Sequence, residues 1–303
     1  MRLGFVGLGN LGAPLAASLL RAGFELTVTD LDRGRAQALL ADGARWADTP
    51  RAVAQASDTV CTCLPSSAAV ASVVAGEQGV LAGLRQGGTW VEMGTSDPGE
   101  TRRLAALATD AGVATLEAPV TGGVHLAAEG GVTVIVAGDE AVFEAHREVF
   151  EAVGARVHYV GALGNAGALK VITNLLAFVH LVAAGEALML ARRAGVDLRQ
   201  AFEVITSSSG TSFVFETEGQ LILNGSYDVG FSVELALKDL GFARRLGEYL
   251  GVPLELEPVV ERLFQRACDA YGAGAPSTQV VRLLEDAVGA DLRAAGFPAR
   301  LHS

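Results

Sequence analysis

The sequence predicts an α/β chain: a doubly wound sheet over residues 1–161, followed by an all-α region over residues 162–303, the two joined by a long helix. Three observations predict it. The first half alternates short apolar runs with amphipathic stretches, the βαβ rhythm of a parallel sheet. A glycine turn, Gly7-Leu8-Gly9-Asn10-Leu11-Gly12, separates the first apolar run from the first amphipathic stretch. From about Gly161 onward no strand-like run is found, only long helical patterns, and the change falls at Gly161-Ala162-Leu163-Gly164.

The elements follow in order. Leu3–Val6 reads as a strand, Asn10–Ala22 as a helix closed by Gly23, Leu26–Thr29 as a second strand and Asp32–Ala41 as a helix ending at Gly43. Thr59–Cys63, Thr89–Glu92, Thr115–Glu117 and Val132–Val136 are further strands, with helices at Glu100–Ala111 and Glu140–Val153. The helical half comprises Ala168–Ala194, Leu198–Thr206, Thr217–Leu223, Val233–Leu250, Leu256–Tyr271 and Ser277–Ala290, and Gly296–Ser303 reads as a loose tail.

Composition narrows the function. Half of the 303 residues are hydrophobic and the formal charge is −11, with no Lys/Arg run, so disorder and nucleic-acid binding are both disfavoured. The three cysteines suggest neither a disulfide framework nor a zinc site. Cys61 and Cys63 alternate on a strand and would point the same way into a core, as suits a reducing cytoplasm. No cleavable leader is expected, because a strand pattern begins at Leu3. Val171–Ala191 has the length and apolarity of a bilayer-spanning helix. It nevertheless carries Asn174, His180 and Glu186 beside Lys170, groups costly in lipid, so a helix buried in protein is expected and no membrane partner.

Four groups of residues carry chemistry. A GxGxxG string alone is a weak signal, but here it stands between a strand and a helix. Gly7 permits the tight turn, Gly9 lets backbone approach a pyrophosphate, and Gly12 allows close helix–strand packing, a Rossmann-like arrangement for a dinucleotide. Asp30, at the end of the second strand, would accept hydrogen bonds from ribose hydroxyls and repel a 2′-phosphate. It therefore favours NAD over NADP, although Arg33 and Arg35 follow closely and leave NADP possible; a plain helix-capping role for Asp30 stays open. Glu117-Ala118-Pro119-Val120-Thr121-Gly122-Gly123 is compatible with a carboxylate cradle and equally with an ordinary loop. Lys170 and Asn174 share one helix face at i, i+4 spacing, and a desolvated lysine can serve as acid or base near neutrality. Standing alone they would read as a snorkelling lysine beside a surface asparagine. Lys238-Asp239 alone carries no meaning.

Taken as a set, and in this order, these strings resemble the β-hydroxyacid dehydrogenase family, which includes 3-hydroxyisobutyrate dehydrogenases and their tartronate semialdehyde and 6-phosphogluconate relatives. The resemblance runs from Leu3 to about Arg282. It implies a Rossmann-like domain followed by an all-helical domain that often builds the subunit interface, hence a homodimer or homotetramer. It implies that residues 7–12, Asp30, Leu64, Pro65, Thr95 and Lys238 line the cofactor. It implies that Thr121, Gly122 and Gly123 grip the substrate carboxylate, with Lys170 and Asn174 as the catalytic pair. Three departures stand out: Glu117 and Thr121 replace the usual Asp and Ser, Ala166 replaces a glycine with Gly167 one place on, and His125 and Leu126 replace small residues. His125 is thereby expected to shape the substrate pocket.

The expected activity is hydride transfer between a nicotinamide cofactor and a small β-hydroxy acid or its semialdehyde, with Lys170 as general acid/base. The rivals are a reductase of a non-carboxylate carbonyl such as a sulfonate aldehyde, an imine reductase, against which Lys170 argues, and a non-catalytic dinucleotide sensor, which would need no acid/base lysine.

Overall fold

The computed structural model describes residues 1–301, which form two compact units: Met1–Lys170, and a second that begins at Val171. In the first unit the strands are β1 (Arg2–Val6), β2 (Glu25–Thr29), β3 (Arg45–Trp46), β4 (Thr59–Thr62), β5 (Thr89–Glu92), β6 (Ala114–Glu117), β7 (Val120–Thr121), β8 (Val132–Gly138) and β9 (Gly154–Tyr159). They pair in the order β3-β2-β1-β4-β5-β6-β8-β7, with β9 also against β8. The run from β3 to β6 is parallel; β8 is antiparallel to β6 and β7, and parallel to β9.

Register shows why the central residues of these short runs are apolar at successive positions. Phe5, Cys61, Val91 and Leu116 are aligned across β1, β4, β5 and β6 and enter one core. Their neighbours Val60 and Trp90 point to the opposite face and enter another. A sheet covered on both faces needs apolar residues at successive positions, not alternate ones. Cys61 is buried within the first core and Cys63 packs against it, as their spacing predicts. The helices α1 (Gly12–Arg21), α2 (Gln37–Ala41), α3 (Pro50–Gln55), α4 (Ser67–Ala75), α5 (Pro98–Asp110), α6 (Val124–Ala128) and α7 (Glu140–Val153) connect the strands.

The chain goes from β1 to β2 on one side and returns to β4 on the other, so strand order reverses between β1 and β4. In such sheets the crevice at the carboxyl ends beside the reversal receives ligands. The glycine turn lies there: Gly7 N–H donates to Thr29 O, and Cys63 N–H donates to Val6 O.

The second unit is helical among the described residues. α8 (Asn165–Arg193) begins in the first unit and continues into this one, followed by α9 (Leu198–Thr206), α10 (Phe213–Asn224), α11 (Val233–Leu250), α12 (Glu257–Tyr271) and α13 (Arg282–Val288). Phe178, Leu188, Phe215, Leu240 and Phe264 share its core. By length and composition α8 could cross a membrane, and 33% of its most apolar window is buried. The buried part is a stripe, Phe178, Leu181, Ala184 and Leu188, at the spacing of one helix face. The expectation of burial is met on that face only; Leu169, Ile172, Leu176 and Leu190 are exposed.

The expected loose tail is corrected as far as Phe297; His302 and Ser303 lie outside the described residues. Leu292 is fully buried and its N–H donates to Glu285. Phe297 stacks edge-on against Phe202 at 5.0 Å, and its carbonyl accepts from the Asn224 amide at 2.8 Å. One aromatic contact and one hydrogen bond to the Phe297 carbonyl hold a segment with no periodicity of its own.

Candidate dinucleotide and catalytic site

The turn after β1 accepts glycine and little else. Gly7 has φ +97, and a β-carbon there would lie 2.4 Å from Cys63 O. One at Gly12 would lie 2.0 Å from Gly7 O, so the first turn of α1 packs directly on the glycine turn. At Gly9, by contrast, the nearest atom to an added β-carbon is Arg35 Nη1 at 3.5 Å, which leaves the backbone approachable from outside. Leu8 gives its side chain to the core.

The start of α1 is also unlike most others in the unit. Thr49, Ser66, Asp97 and Asp139 cap α3, α4, α5 and α7 with side-chain oxygens. At α1 the N-cap is Leu11, no side chain caps it, and its first turn holds no acid. Ala13 and Leu15 N–H donate to Gly9 O and Leu11 O, and Pro14 has no N–H. What is left for an outside anion is the positive dipole end around Gly12, which fits the pyrophosphate of a dinucleotide.

Asp30, half-buried after β2, is tied to this turn: Oδ2 accepts from Leu8 N at 2.6 Å and Oδ1 from Asp32 N at 2.9 Å. Each carboxylate oxygen can still accept another bond, so both tasks fit one side chain. Arg33 lies over the Trp46 ring at 5.5 Å, and Arg35 pairs with Asp32 at 3.9 Å; both arginines are exposed.

Leu64 and Pro65 follow β4. A β-carbon at Gly7 would touch Leu64 Cδ2 at 2.9 Å and one at Gly94 would touch Leu64 O at 3.2 Å, so the turns after β1, β4 and β5 adjoin. Beneath them lies Glu92, the last residue of β5 and 2% exposed, which sequence reasoning missed. It accepts from Thr62 Oγ1, from Gly94 N at 2.9 Å and from Ser96 Oγ at 3.4 Å. These bonds pin the loop that carries Thr95. Burial pushes its carboxyl up to about 7, with a smaller push from the Glu117 charge, while the Thr62, Gly94 and Ser96 bonds oppose the rise.

Glu117 is the register partner of Glu92 on β6, 2% exposed, and lies ahead of the Thr121 loop. Its Oε2 accepts from Gly164 N at 2.6 Å, and the nearby N–H groups of Gly167 and Ala166 further stabilise the carboxylate charge. Burial raises its pKa; these donors and the Arg102 guanidinium pull it back. Gly122 and Gly123 both have positive φ, +122 and +91. The side chains of α6 fold back over them: a β-carbon at Gly122 would meet Leu126 Cδ1 at 2.9 Å, and one at Gly123 the His125 ring at 3.1 Å. Burial lowers the His125 pKa and favours its neutral form. Lys170, half-buried on α8, is the last residue of this unit.

Asn174 and Lys238 belong to the second unit. Asn174 Nδ2 donates to Asp239 Oδ2 at 2.6 Å. A carboxylate only accepts, so the amide must turn its nitrogen to Asp239 and its oxygen elsewhere. Asp239, 1% exposed, also pairs with Lys238 at 3.1 Å, and the Lys238 ammonium lies over the Phe242 ring at 5.2 Å. Asp239 is thus the residue that orients both neighbours, a role the bare Lys-Asp dipeptide does not signal. Among the described residues no cluster suited to a metal ion occurs.

Residues 2–161 match the family model of the NAD-binding domain of 6-phosphogluconate dehydrogenase. Residues 164–284 match that of the NAD-binding domain of NADP-dependent 3-hydroxyisobutyrate dehydrogenase. The 2-(hydroxymethyl)glutarate dehydrogenase of Eubacterium barkeri is 34% identical over 88% of each chain. The chain belongs to the β-hydroxyacid dehydrogenase family. The 2-hydroxy-3-oxopropionate reductase of Escherichia coli K12 is 33% identical over 94% of this dehydrogenase and 97% of that enzyme. The crystal structure of 3-hydroxyisobutyrate dehydrogenase from Salmonella typhimurium superposes with a TM-score of 0.86 at 32% identity, over 93% of this chain and 99% of that one. An imine reductase from Pseudomonas sp. shares the fold more distantly, at TM-score 0.62 and 19% identity. This dehydrogenase is an oxidoreductase that uses NAD or NADP.

Proposed function

We propose that this dehydrogenase oxidises a small β-hydroxy acid, or reduces the matching semialdehyde, with Lys170 as general acid/base. The observation that carries this reading is the presence in one compact unit of an uncapped helix start after the glycine turn, the Thr121–Gly123 loop, and Lys170. Residues 7–12, Asp30, Leu64, Pro65 and Thr95 would hold the dinucleotide, and the family resemblance adds Lys238 to that set. When bound, the dinucleotide supplies the hydride acceptor for oxidation and the hydride donor for reduction. Thr121 and the N–H groups of Gly122 and Gly123 bind the substrate carboxylate. In oxidation the neutral Lys170 amine accepts the substrate hydroxyl proton as the C–H bond gives up its hydride and the C=O bond forms. In reduction the ammonium returns that proton. Asn174, its amide oriented by Asp239, steadies the reacting group. The Asp30 carboxylate favours NAD over NADP.

His125 supports a second reading. Its ring over Gly123 adds a side chain to the anion-binding end of the pocket, which suits a different acidic group, such as the sulfonate of an aldehyde. We assign the protein to the cytoplasm as a homodimer or homotetramer; exposed Tyr249, Leu250, Leu256 and Val259 supply apolar surface in the second unit for self-association. The test is a panel of β-hydroxy acids, semialdehydes and sulfonate aldehydes, each with both cofactors and followed by nicotinamide absorbance. Turnover of β-hydroxy acids with NAD is expected; turnover of imines or sulfonate aldehydes alone would overturn the main reading.

A further inference from the structure

The β6 segment and the helix bearing Lys170 are joined by one buried side chain. Glu117 ends β6, four residues ahead of Thr121; its carboxylate accepts the N–H of Gly164 at 2.6 Å and is stabilised by the N–H groups of Ala166 and Gly167 close by. These are donors that the start of a helix leaves unsatisfied. Lys170 follows Gly167 by three residues, within a single turn of α8. The contact is tight from both sides. A β-carbon at Gly167 would lie 3.1 Å from Glu117 Oε1 and 3.5 Å from Pro98 Cγ. Gly164, at φ +102, has the Arg102 guanidinium where its β-carbon would be, 2.3 Å away. The longer acid at 117 and the glycine at 167 are matched: an acid one methylene shorter would not reach as far, and any side chain at 167 would press on the carboxylate.

We propose that Glu117 is the positioning residue for Lys170, locking the first turn of α8 to the strand that leads into the substrate loop. The carboxylate fixes how far along its axis, and at what rotation, that turn meets β6, and this sets where the lysine stem departs relative to Thr121, Gly122 and Gly123. A misplacement of about 1 Å is enough to lower turnover roughly 10²-fold. This inference rests on Lys170 being the acid/base group, so the experiment separates the two.

Three variants are compared with the parent enzyme: Glu117→Gln, which removes the charge at equal length; Glu117→Asp, which keeps the charge and shortens the reach; and Gly167→Ala, which presses on the carboxylate. Lys170→Ala is the control. The readouts are kcat, substrate KM, dinucleotide Kd, Tm, and the deuterium isotope effect on kcat from substrate labelled at the hydride-donating carbon. For Glu117→Gln the expected result is a kcat lowered roughly 10- to 100-fold with unchanged dinucleotide Kd and a larger isotope effect. Glu117→Asp should recover part of the loss and Gly167→Ala should reproduce it. A structural cap alone would lower Tm while folded enzyme kept parental kcat and isotope effect, and that outcome overturns the inference. Should Glu117→Gln fail to fold, Gly167→Ala and Glu117→Asp decide on the same readouts. An active Lys170→Ala enzyme would overturn the acid/base reading itself. An inactive one, beside Glu117 and Gly167 variants of parental kcat, would overturn only the positioning role.

Discussion

The starts of α1 and α8 both lie in the first unit, and they are finished in opposite ways. At α1 no side chain caps the leading N–H groups and a glycine turn keeps bulk away. At α8 a carboxylate from 47 residues earlier in the chain fills the same kind of position and is itself buried. Both ends carry the same positive dipole. What differs is whether the anion that answers them comes from outside or from the chain. An open start can take up a cofactor; a closed one holds a side chain at a fixed place. The first is served by small residues in a row, the second by a single acid far away in sequence.

The comparison can be broken most severely at the closed end. Lys170→Ala should lower kcat roughly 10²- to 10⁴-fold, the range a general acid/base contributes, with dinucleotide affinity near that of the parent. Loss of cofactor affinity with chemistry preserved would place Lys170 at the wrong end of the comparison. At the open end, Gly9→Asp puts a fixed anion where the pyrophosphate is expected. Dinucleotide binding, read by quenching of protein fluorescence, should weaken roughly 10- to 100-fold, the loss of one or two charge-assisted hydrogen bonds. Parental affinity would mean that the phosphates bind elsewhere.

Asp30→Asn sharpens the cofactor side. The amide oxygen can still accept from Leu8 N, while the charge that repels a 2′-phosphate is gone. The ratio of kcat/KM for NADP to that for NAD should rise about tenfold. An unchanged ratio would shift cofactor choice to Arg33 and Arg35.

The smallest effect concerns an acid without donors. Glu218 on α10 is half-buried, its Oε2 is out of solvent contact with no hydrogen-bond partner, and burial pushes its pKa up to about 7. Because the folded value lies above the ordinary one, the native state holds this proton longer than the unfolded chain. Stability is therefore lost as pH rises from about 4.5 through about 7. Glu218→Gln should gain a few degrees of Tm over the parent at about pH 8 and almost nothing at about pH 4, by calorimetry. An equal gain at both pH values would show that charge is not the cause.

Much of this protein was legible because its signals are local. Residues 89–92 and the helices 140–153, 198–206 and 233–250 fall where the pattern puts them, since burial repeats at the period of the element. β9 escaped because Arg156 and His158 break its apolar run, and only pairing with β8 makes it a strand. Helices α3 and α4 were missed although Thr49-Pro50 and Ser66 are readable start signals. Asp32–Ala41 proved to be a short 3₁₀ turn, residues 33–36, followed by α2.

By itself, then, the sequence determined the main strands and helices, the glycine turn and the change of texture near Gly161, all set by neighbours a few positions apart. It could not determine that Glu117 closes the start of α8, that Glu92 anchors the loop of Thr95, or that Asp239 turns the amide of Asn174. The first and last join residues 47 and 65 positions apart, Glu117–Gly164 and Asn174–Asp239, and Glu92, local to its loop, is itself held by Thr62 on β4. Their hydrogen bonds also depend on burial, because a carboxylate out of water must find its donors in the folded chain. Tertiary structure alone decides which donors those are.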